Sequence, residues 1–509
     1  MISLRPPLSA RPPQICVSLI AAFLLSAAHA FAAEPQAIGP ATPAEATAPA
    51  RTTAPAGTAP AATGSKSVAN SPQTAVASEQ IPATAARGWE LLTQKSYLPP
   101  DFDQAVFDQL WTIWPKPLRE QAQNATAAER RQMTLSRYGL MPHPEHPDSG
   151  TALGHVSRNG SEWVMNCMSC HTGKVEGKVV LGSPNSHFAL HSLVEDTRTI
   201  KLKMQRPLAH LELGSLAIPL GTTHGTTNAV IFGIALAAAR DRDINFIGKT
   251  SNPPLHHHDC DAPPFWNVRK KKTLYADGFA AKSARPLLQF VMIPRNSGET
   301  IRGWEPDAQA WLAWIESLEP PQYTRPVDQP LAEEGRVAFA RVCARCHGTY
   351  GAEETYPNKI IPLAEIGTDP ERFLSLTPEY RSWMHQSWYG DYGKAKYNAD
   401  TKGYQAPPLD GIWASAPYFH NGSVPTLWHL LHPDQRPKVW KRTENGYDHE
   451  RMGLEIQTFE QLPENVSAGY ERRQYFDTTR KGKSAAGHTY VNELSEDEKR
   501  AVLEYLKTL

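Results

Sequence analysis

Two five-residue stretches share one pattern: Cys167-Met168-Ser169-Cys170-His171 and Cys343-Ala344-Arg345-Cys346-His347. In C-x-x-C-H, two thiols stand at the spacing that adds them to the vinyl groups of one haem, and the next imidazole binds its iron. Neither copy has a second Cys pair nearby to complete four ligands, and both end in His, which argues against a zinc site or a thioredoxin-type dithiol. The pattern predicts two covalent haem c groups, one on Cys167, Cys170 and His171, the other on Cys343, Cys346 and His347.

Each motif supplies one protein ligand to iron, and what stands opposite separates an electron carrier from a reactive site. For the second motif the candidate is His420, in Ala416-Pro417-Tyr418-Phe419-His420-Asn421-Gly422, where Pro417 and Gly422 bracket a rigid loop. His429 and His432 are the runners-up. For the first motif His187 is a candidate, and His191, His210, His224 and Met204 are weaker claimants; the lack of a clear ligand favours an open position. His256-His257-His258-Asp259-Cys260-Asp261 contains imidazole, thiolate and carboxylate, all metal ligands. Adjacent residues rarely converge on one ion, so the expectation there is a polar loop ahead of Pro263-Pro264.

The elements that must hold these residues read as helices and Gly- or Pro-punctuated loops. Apolar residues recur at helical spacing over 88–92 and 107–111, with Pro-rich breaks at 99–100 and 141–144. Gly173, Gly177 and Gly182 mark loop and short strand around a porphyrin edge. The apolar run 229–239 has helix length, too short to cross a membrane. Ala308, Trp311, Leu312, Ile315 and Leu318 share a helical face that ends at Pro320-Pro321, and 320–330 holds four prolines. A helix from Leu331 runs into the second motif, and Ser495 with Glu498 forms a capping box before Ala501, Val502, Tyr505 and Leu506. A helix entering C-x-x-C-H and an amphipathic closing helix frame a class I cytochrome c domain. The expected fold is mainly α: two tandem cytochrome c-type domains with long loops, at 87–320 and 331–509, joined by a Pro-rich linker at 321–330.

The N-terminus predicts export. Arg5 and Arg11 precede an apolar run over 15–28, and Ala28-His29-Ala30 is an A-x-A cleavage pattern, giving a signal peptide over 1–30 and a periplasmic or secreted protein. Residues 31–86 are Ala, Thr, Pro and Ser with almost no large apolar side chain, a disordered spacer. Cys16 leaves with the signal and four of the remaining cysteines belong to the motifs, so Cys260 is single and no disulfide framework exists. Formal charge balances at 52 basic against 52 acidic residues, which argues against nucleic acid or an anionic membrane as the main partner. A small redox donor protein or a small-molecule substrate remains, with no integral membrane domain after signal cleavage.

Residues 413–425 resemble the A-P-Y-x-H-[ND]-G-S-V segment of the bacterial dihaem cytochrome c peroxidase superfamily. With Tyr356-Pro357-Asn358-Lys359, Gly367-Thr368-Asp369-Pro370 and Leu409-Asp410-Gly411-Ile412-Trp413, the chain is most similar to the rubber oxygenase (RoxA)-like branch, over roughly 135–509. The resemblance implies a reactive first haem whose distal pocket is lined by Phe265 and Trp266, with Trp266 also placed to relay an electron. It implies a gating role for His187; breaking a peroxide needs acid-base help, for which His187 or a carboxylate such as Glu195 is a candidate. Asp434 stands where the peroxidases carry a Met ligand, which favours bis-His ligation of the second haem by His347 and His420. Tyr418 matches the Tyr ligand of MauG-type proteins less well than His420 matches a His ligand. Related peroxidases hold a calcium ion between their domains. The expected function is an exported dihaem oxidoreductase, peroxidase- or oxygenase-like, using peroxide with an external donor or dioxygen with an unsaturated organic molecule; the alternative is a plain electron-transfer cytochrome.

Overall fold

Two helix pairs frame the chain. In the computed structural model, which describes residues 83–509 apart from 149, 249–252, 254, 396–400 and 467–468, helix α1 (Ala83–Gln94) packs on α2 (Glu305–Glu316), and α3 (Gln329–Val342) packs on α4 (Glu496–Leu506). Each crossing turns on a glycine. A Cβ at Gly88 would overlap the Ala310 carbonyl, and one at Gly335 would overlap the Ala501 carbonyl, so hydrogen at these positions lets the backbones touch. Aromatic rings close both contacts, Trp89 with Trp314 at 5.2 Å and Phe339 with Tyr505 at 5.3 Å. The α4 capping box forms as its sequence predicts, the Glu498 amide donating to the Ser495 hydroxyl and the Ser495 amide to the Glu498 carboxylate. The predicted signal, Cys16 and most of the predicted spacer lie outside the described residues; α1 begins at Ala83, inside the span assigned to the spacer.

The chain is mixed helix and strand, 42% and 14%, which corrects the mainly α expectation. The long loops between framing helices fold into small sheets. His155–Arg158 (β1) and Glu162–Met165 (β2) pair antiparallel, with Val156 opposite Val164, and Phe102 pairs with Trp163 on the other edge. This hairpin, not a helix, enters the first C-x-x-C-H. Its Trp163 buries against Phe102 and Phe107, and that packing outweighs helix propensity over so short a run. Asn166 restores the link to the framing helix: its side-chain oxygen accepts from the Met168 amide at 2.8 Å and its amide group donates to the Leu92 carbonyl of α1 at 2.9 Å.

Further along, Cys260–Asp261 (β3) pairs with Thr226–Thr227, and Gly403–Gln405 (β4) pairs with Ile360–Pro362. Val439–Asp448 (β5) lies between Gly453–Phe459 (β6) and Tyr475–Asp477 (β7). The apolar helix spans Ala229–Ala237, and no helix of the described residues is long and apolar enough to cross a membrane. Residues 320–328 carry no helix or strand, as their prolines predict. One buried cluster takes Leu91, Met168, Trp311 and Trp314 from before that linker together with Leu376, Tyr380, Met384 and Trp388 from after it, within a single compact unit over 82–509.

Candidate haem sites

Both motif histidines are held the same way. The Nδ1 of His171 lies 3.0 Å from the Pro263 carbonyl oxygen, and that of His347 lies 2.8 Å from the Pro407 carbonyl oxygen. Each carbonyl comes from an Ala-Pro-Pro run, at 262–264 and at 406–408. A donated Nδ1–H fixes the tautomer and leaves the Nε2 lone pair for a metal. Burial lowers the proton affinity of both rings, His171 to about 4, against the opposing pull of the carbonyls, so both stay in the neutral, metal-binding form. The four motif thiols are free. Thiols, tautomer and neutral imidazole together fit covalent haem at each motif. The repeated Ala-Pro-Pro was readable in the sequence, but its meaning required knowing that it returns to the motif from some 60 to 90 residues away.

Opposite His347 the structure places His488, with ring centroids 6.2 Å apart. Two imidazoles facing each other across one ion at bonds of about 2 Å have centroids about 6 Å apart, so the pair fits a single iron between them. The His488 amide donates to Ile366 at 2.7 Å, its φ is +54°, and Nδ1 is buried without a partner. Burial lowers its proton affinity to about 3, with His347 adding to the shift. His488 carries no sequence motif; only the preceding Gly487, which passes against Gly367 and Thr368 where a Cβ would clash, marks the turn.

His420, expected from the sequence as the second-haem ligand, has its Nε2 buried without a partner. Its ring stacks on Tyr404 at 4.0 Å, in the field of Arg372 and His258. His429 is bound to the Thr426 hydroxyl at 2.7 Å and His432 to Glu496 at 3.0 Å. Tyr418 donates its hydroxyl to the Ile412 carbonyl at 3.0 Å.

At the first motif, Phe265 stacks on the His171 ring, 3.9 Å between centroids and 17° between planes. It packs against the motif imidazole itself, two residues on from Pro263, whose carbonyl meets that ring; the resemblance implied a place in the distal pocket. Trp266 is fully buried and donates Nε1–H to the Asp410 carbonyl at 2.8 Å. It stands between the segment that orients His171 and the segment that orients His347.

Among the claimants for a ligand across from His171, His187, His191 and His224 have polar partners elsewhere, while His187 and His210 each keep a buried Nδ1 without a partner. His187 Nε2 lies 2.6 Å from the Glu444 carbonyl on β5. His191 bonds the Gly221 carbonyl and Glu195, and His224 meets the Ser192 hydroxyl at 3.3 Å. His210 lies 3.8 Å from Asp101, and Met204 ends the helix Leu190–Lys203. The His191 hydrogen bond, with Arg473 at 2.8 Å, holds the Glu195 carboxyl down to about 2, so Glu195 is ionised at neutral pH. A residue the motifs did not suggest is Arg442, which β5 brings into the field of His187 and His224; burial lowers its proton affinity to about 10. The 256–261 loop is tied by ion pairs, Asp259 to Lys483 at 2.8 Å and to His257 at 3.4 Å. No group of three or more His, Cys, Asp or Glu among the described residues is set to hold a metal ion.

The chain carries a cytochrome c-like domain. A family described as RoxA-like, cytochrome c-like matches residues 403–441, the span that carries β4, the Pro407 carbonyl and the His420 loop; haem c follows from that domain. The chain is also 28% identical over 277 residues to the uncharacterized protein y4iJ of Sinorhizobium fredii (strain NBRC 101917 / NGR234), covering 42% of this chain and 44% of the relative. It is 31% identical over 165 residues to y4iM, also uncharacterized and from the same strain, covering 28% of this chain and 37% of the relative. The matches span less than half of either relative.

Proposed function

We propose that this chain is an exported dihaem c-type cytochrome working as a haem-dependent oxidoreductase of peroxidase or oxygenase type. The observation that carries the reading is an asymmetry: the imidazole of His488 faces His347 at 6.2 Å, whereas the histidines weighed as partners of His171 bond elsewhere, His187 to Glu444, His191 to Gly221 and His224 to Ser192. A haem open on one side activates peroxide or dioxygen, and one closed by two imidazoles passes electrons. The chain's own residues set up that division. Pro263 and Pro407 carbonyls hold the two motif imidazoles in one tautomer, and Phe265 clamps the first ring in orientation. Trp266, buried and anchored on Asp410, is the aromatic relay between the halves. Arg442 and His187 supply polar groups near the first motif, while Glu195, already ionised, accepts rather than donates a proton. The substrate is peroxide with a small redox donor protein, or dioxygen with an unsaturated organic molecule, met in the periplasm or outside the cell.

Electron paramagnetic resonance of the oxidised protein tests this. One low-spin and one high-spin signal are expected, the high-spin one altered by peroxide. His488→Ala should turn the low-spin signal high-spin, and His420→Ala should leave it low-spin. Two low-spin signals indifferent to peroxide, and to oxygen after reduction, would make the protein an electron carrier.

A further inference from the structure

One group of oxidisable side chains reaches from the interior to the surface. Trp413, 3% exposed, packs edge-on against Tyr323 at 5.2 Å between centroids and against Tyr447 at 6.0 Å. Its Nε1–H donates to the Pro321 carbonyl at 2.8 Å, which ties it to the Pro-rich linker that carries Tyr323. On the inner side the same linker meets Trp266: a Cβ at Gly411 would lie 3.2 Å from the Trp266 Nε1 and 3.4 Å from Pro321. Trp266 adjoins Phe265, the ring stacked on His171. Aromatic side chains therefore follow one another from the first motif to Tyr323, which is half-buried.

The outer end is built differently from the rest. The Tyr323 hydroxyl lies 3.3 Å from His449 Nδ1, and His449 Nε2 lies 2.8 Å from the Glu176 carboxylate. With Nε2–H on that carboxylate, Nδ1 presents its lone pair and the tyrosine hydroxyl donates to it. Partial burial raises the proton affinity of Tyr323 and lowers that of His449, so at neutral pH the phenol holds its proton and the imidazole is free to take it. Tyr447, by contrast, gives its hydroxyl to the Trp413 carbonyl at 2.7 Å, a group that does not take a proton. A phenol loses an electron readily only when its proton leaves with it. Of the two tyrosines on Trp413, Tyr323 is the one whose hydroxyl faces a base.

We propose that Tyr323 is an oxidation site for phenolic reductants, with His449 as its proton acceptor and Trp413 and Trp266 carrying the electron inward. The inference rests on the peroxide-reactive first haem proposed above, which supplies the oxidant. Tyr323 gives one electron to Trp413 and its hydroxyl proton to His449 Nδ1, becoming a neutral tyrosyl radical. A phenol at the surface then returns one hydrogen atom to Tyr323, and His449 releases its proton to solvent. Two such turns supply the two electrons and two protons that reduce hydrogen peroxide to two waters, leaving two phenoxyl radicals. Phenols fit because they yield electron and proton together, the pair that the tyrosyl radical must regain. Such a site serves reductants too large to approach a haem, since contact with one half-buried ring is enough.

The test mixes the full-length dihaem protein with hydrogen peroxide, freezes it within milliseconds and records electron paramagnetic resonance, alongside steady-state oxidation of guaiacol. The parent should show an organic radical that narrows when its tyrosine rings are deuterated. Tyr323→Phe, which keeps the ring, should lose both that radical and guaiacol oxidation while the high-spin signal of the first haem still responds to peroxide. Trp413→Phe should weaken the radical with the same haem response, and His449→Leu should slow guaiacol oxidation about a hundredfold. An undiminished radical or guaiacol rate in Tyr323→Phe overturns the site, and so does a parent that responds to peroxide without forming a tyrosyl radical. A parent whose haems ignore peroxide fails differently: it overturns the oxidant that the proposed function supplies, and the site with it.

Discussion

His155 is 3% exposed, lies between Phe102 and Trp163 at ring distances of 5.7 and 5.4 Å, and leaves Nδ1 without a partner. Burial alone lowers its proton affinity to about 3, below the 6.5 of a free imidazole. The unfolded chain thus binds the proton more readily, so this site's contribution to stability is complete above pH 6.5 and is lost as pH falls toward 3. At about 1.4 kcal/mol per pH unit, some 2 kcal/mol should disappear between pH 6.5 and 5. His155→Leu should flatten stability over that interval, as read by denaturant unfolding at pH 7 and pH 5. The residue scale also shows why one member of the His347–His488 pair was legible and the other was not. C-x-x-C-H is a local pattern whose geometry follows from adjacency. His488 meets His347 where the loop at Gly487 packs against Gly367, a contact between segments far apart in the chain that no local pattern marks.

The framing helices were legible because their apolar faces repeat at helical spacing and their ends carry caps and prolines. The strands were not, since two- to four-residue pieces such as β2 show no period of their own and depend on Phe102 and β1 for burial. That is why a hairpin stands where a helix was expected to lead into Cys167. The glycine at each helix crossing supplies a prediction at this scale. Gly335→Val forces a side chain into the Ala501 carbonyl and Gly88→Val does the same at Ala310; overpacking of this kind costs about 1–3 kcal/mol, more where backbone must move. Thermal unfolding should show both losses. On the dihaem reading proposed above, the low-spin signal should broaden first in Gly335→Val and the high-spin signal in Gly88→Val, because Asn166 ties the first motif to the helix that carries Gly88.

Over the whole molecule, a repeated framing pattern coexists with shared burial. Trp266 and Asp277 come from before the Pro-rich linker, yet they bond to Asp410 and to Arg372 and Arg381 beyond it. Leu376, Tyr380 and Met384 complete a cluster begun by α1 and α2. The linker that separates the two halves in sequence therefore does not separate two cores, and residues 331–509 alone would expose apolar faces and two buried guanidinium groups. Asp277→Asn tests this coupling. It removes the only carboxylate that these two guanidinium groups share among the described residues, and breaking a buried ion pair by deleting one partner costs about 3–5 kcal/mol. If the halves fold together, calorimetry should show one unfolding transition in the parent and one, at lower temperature, in the variant, with both haem signals lost in step. Two separated transitions, with only the later half weakened, would mean that the duplicated frames stand independently and that the shared cluster contributes little to either.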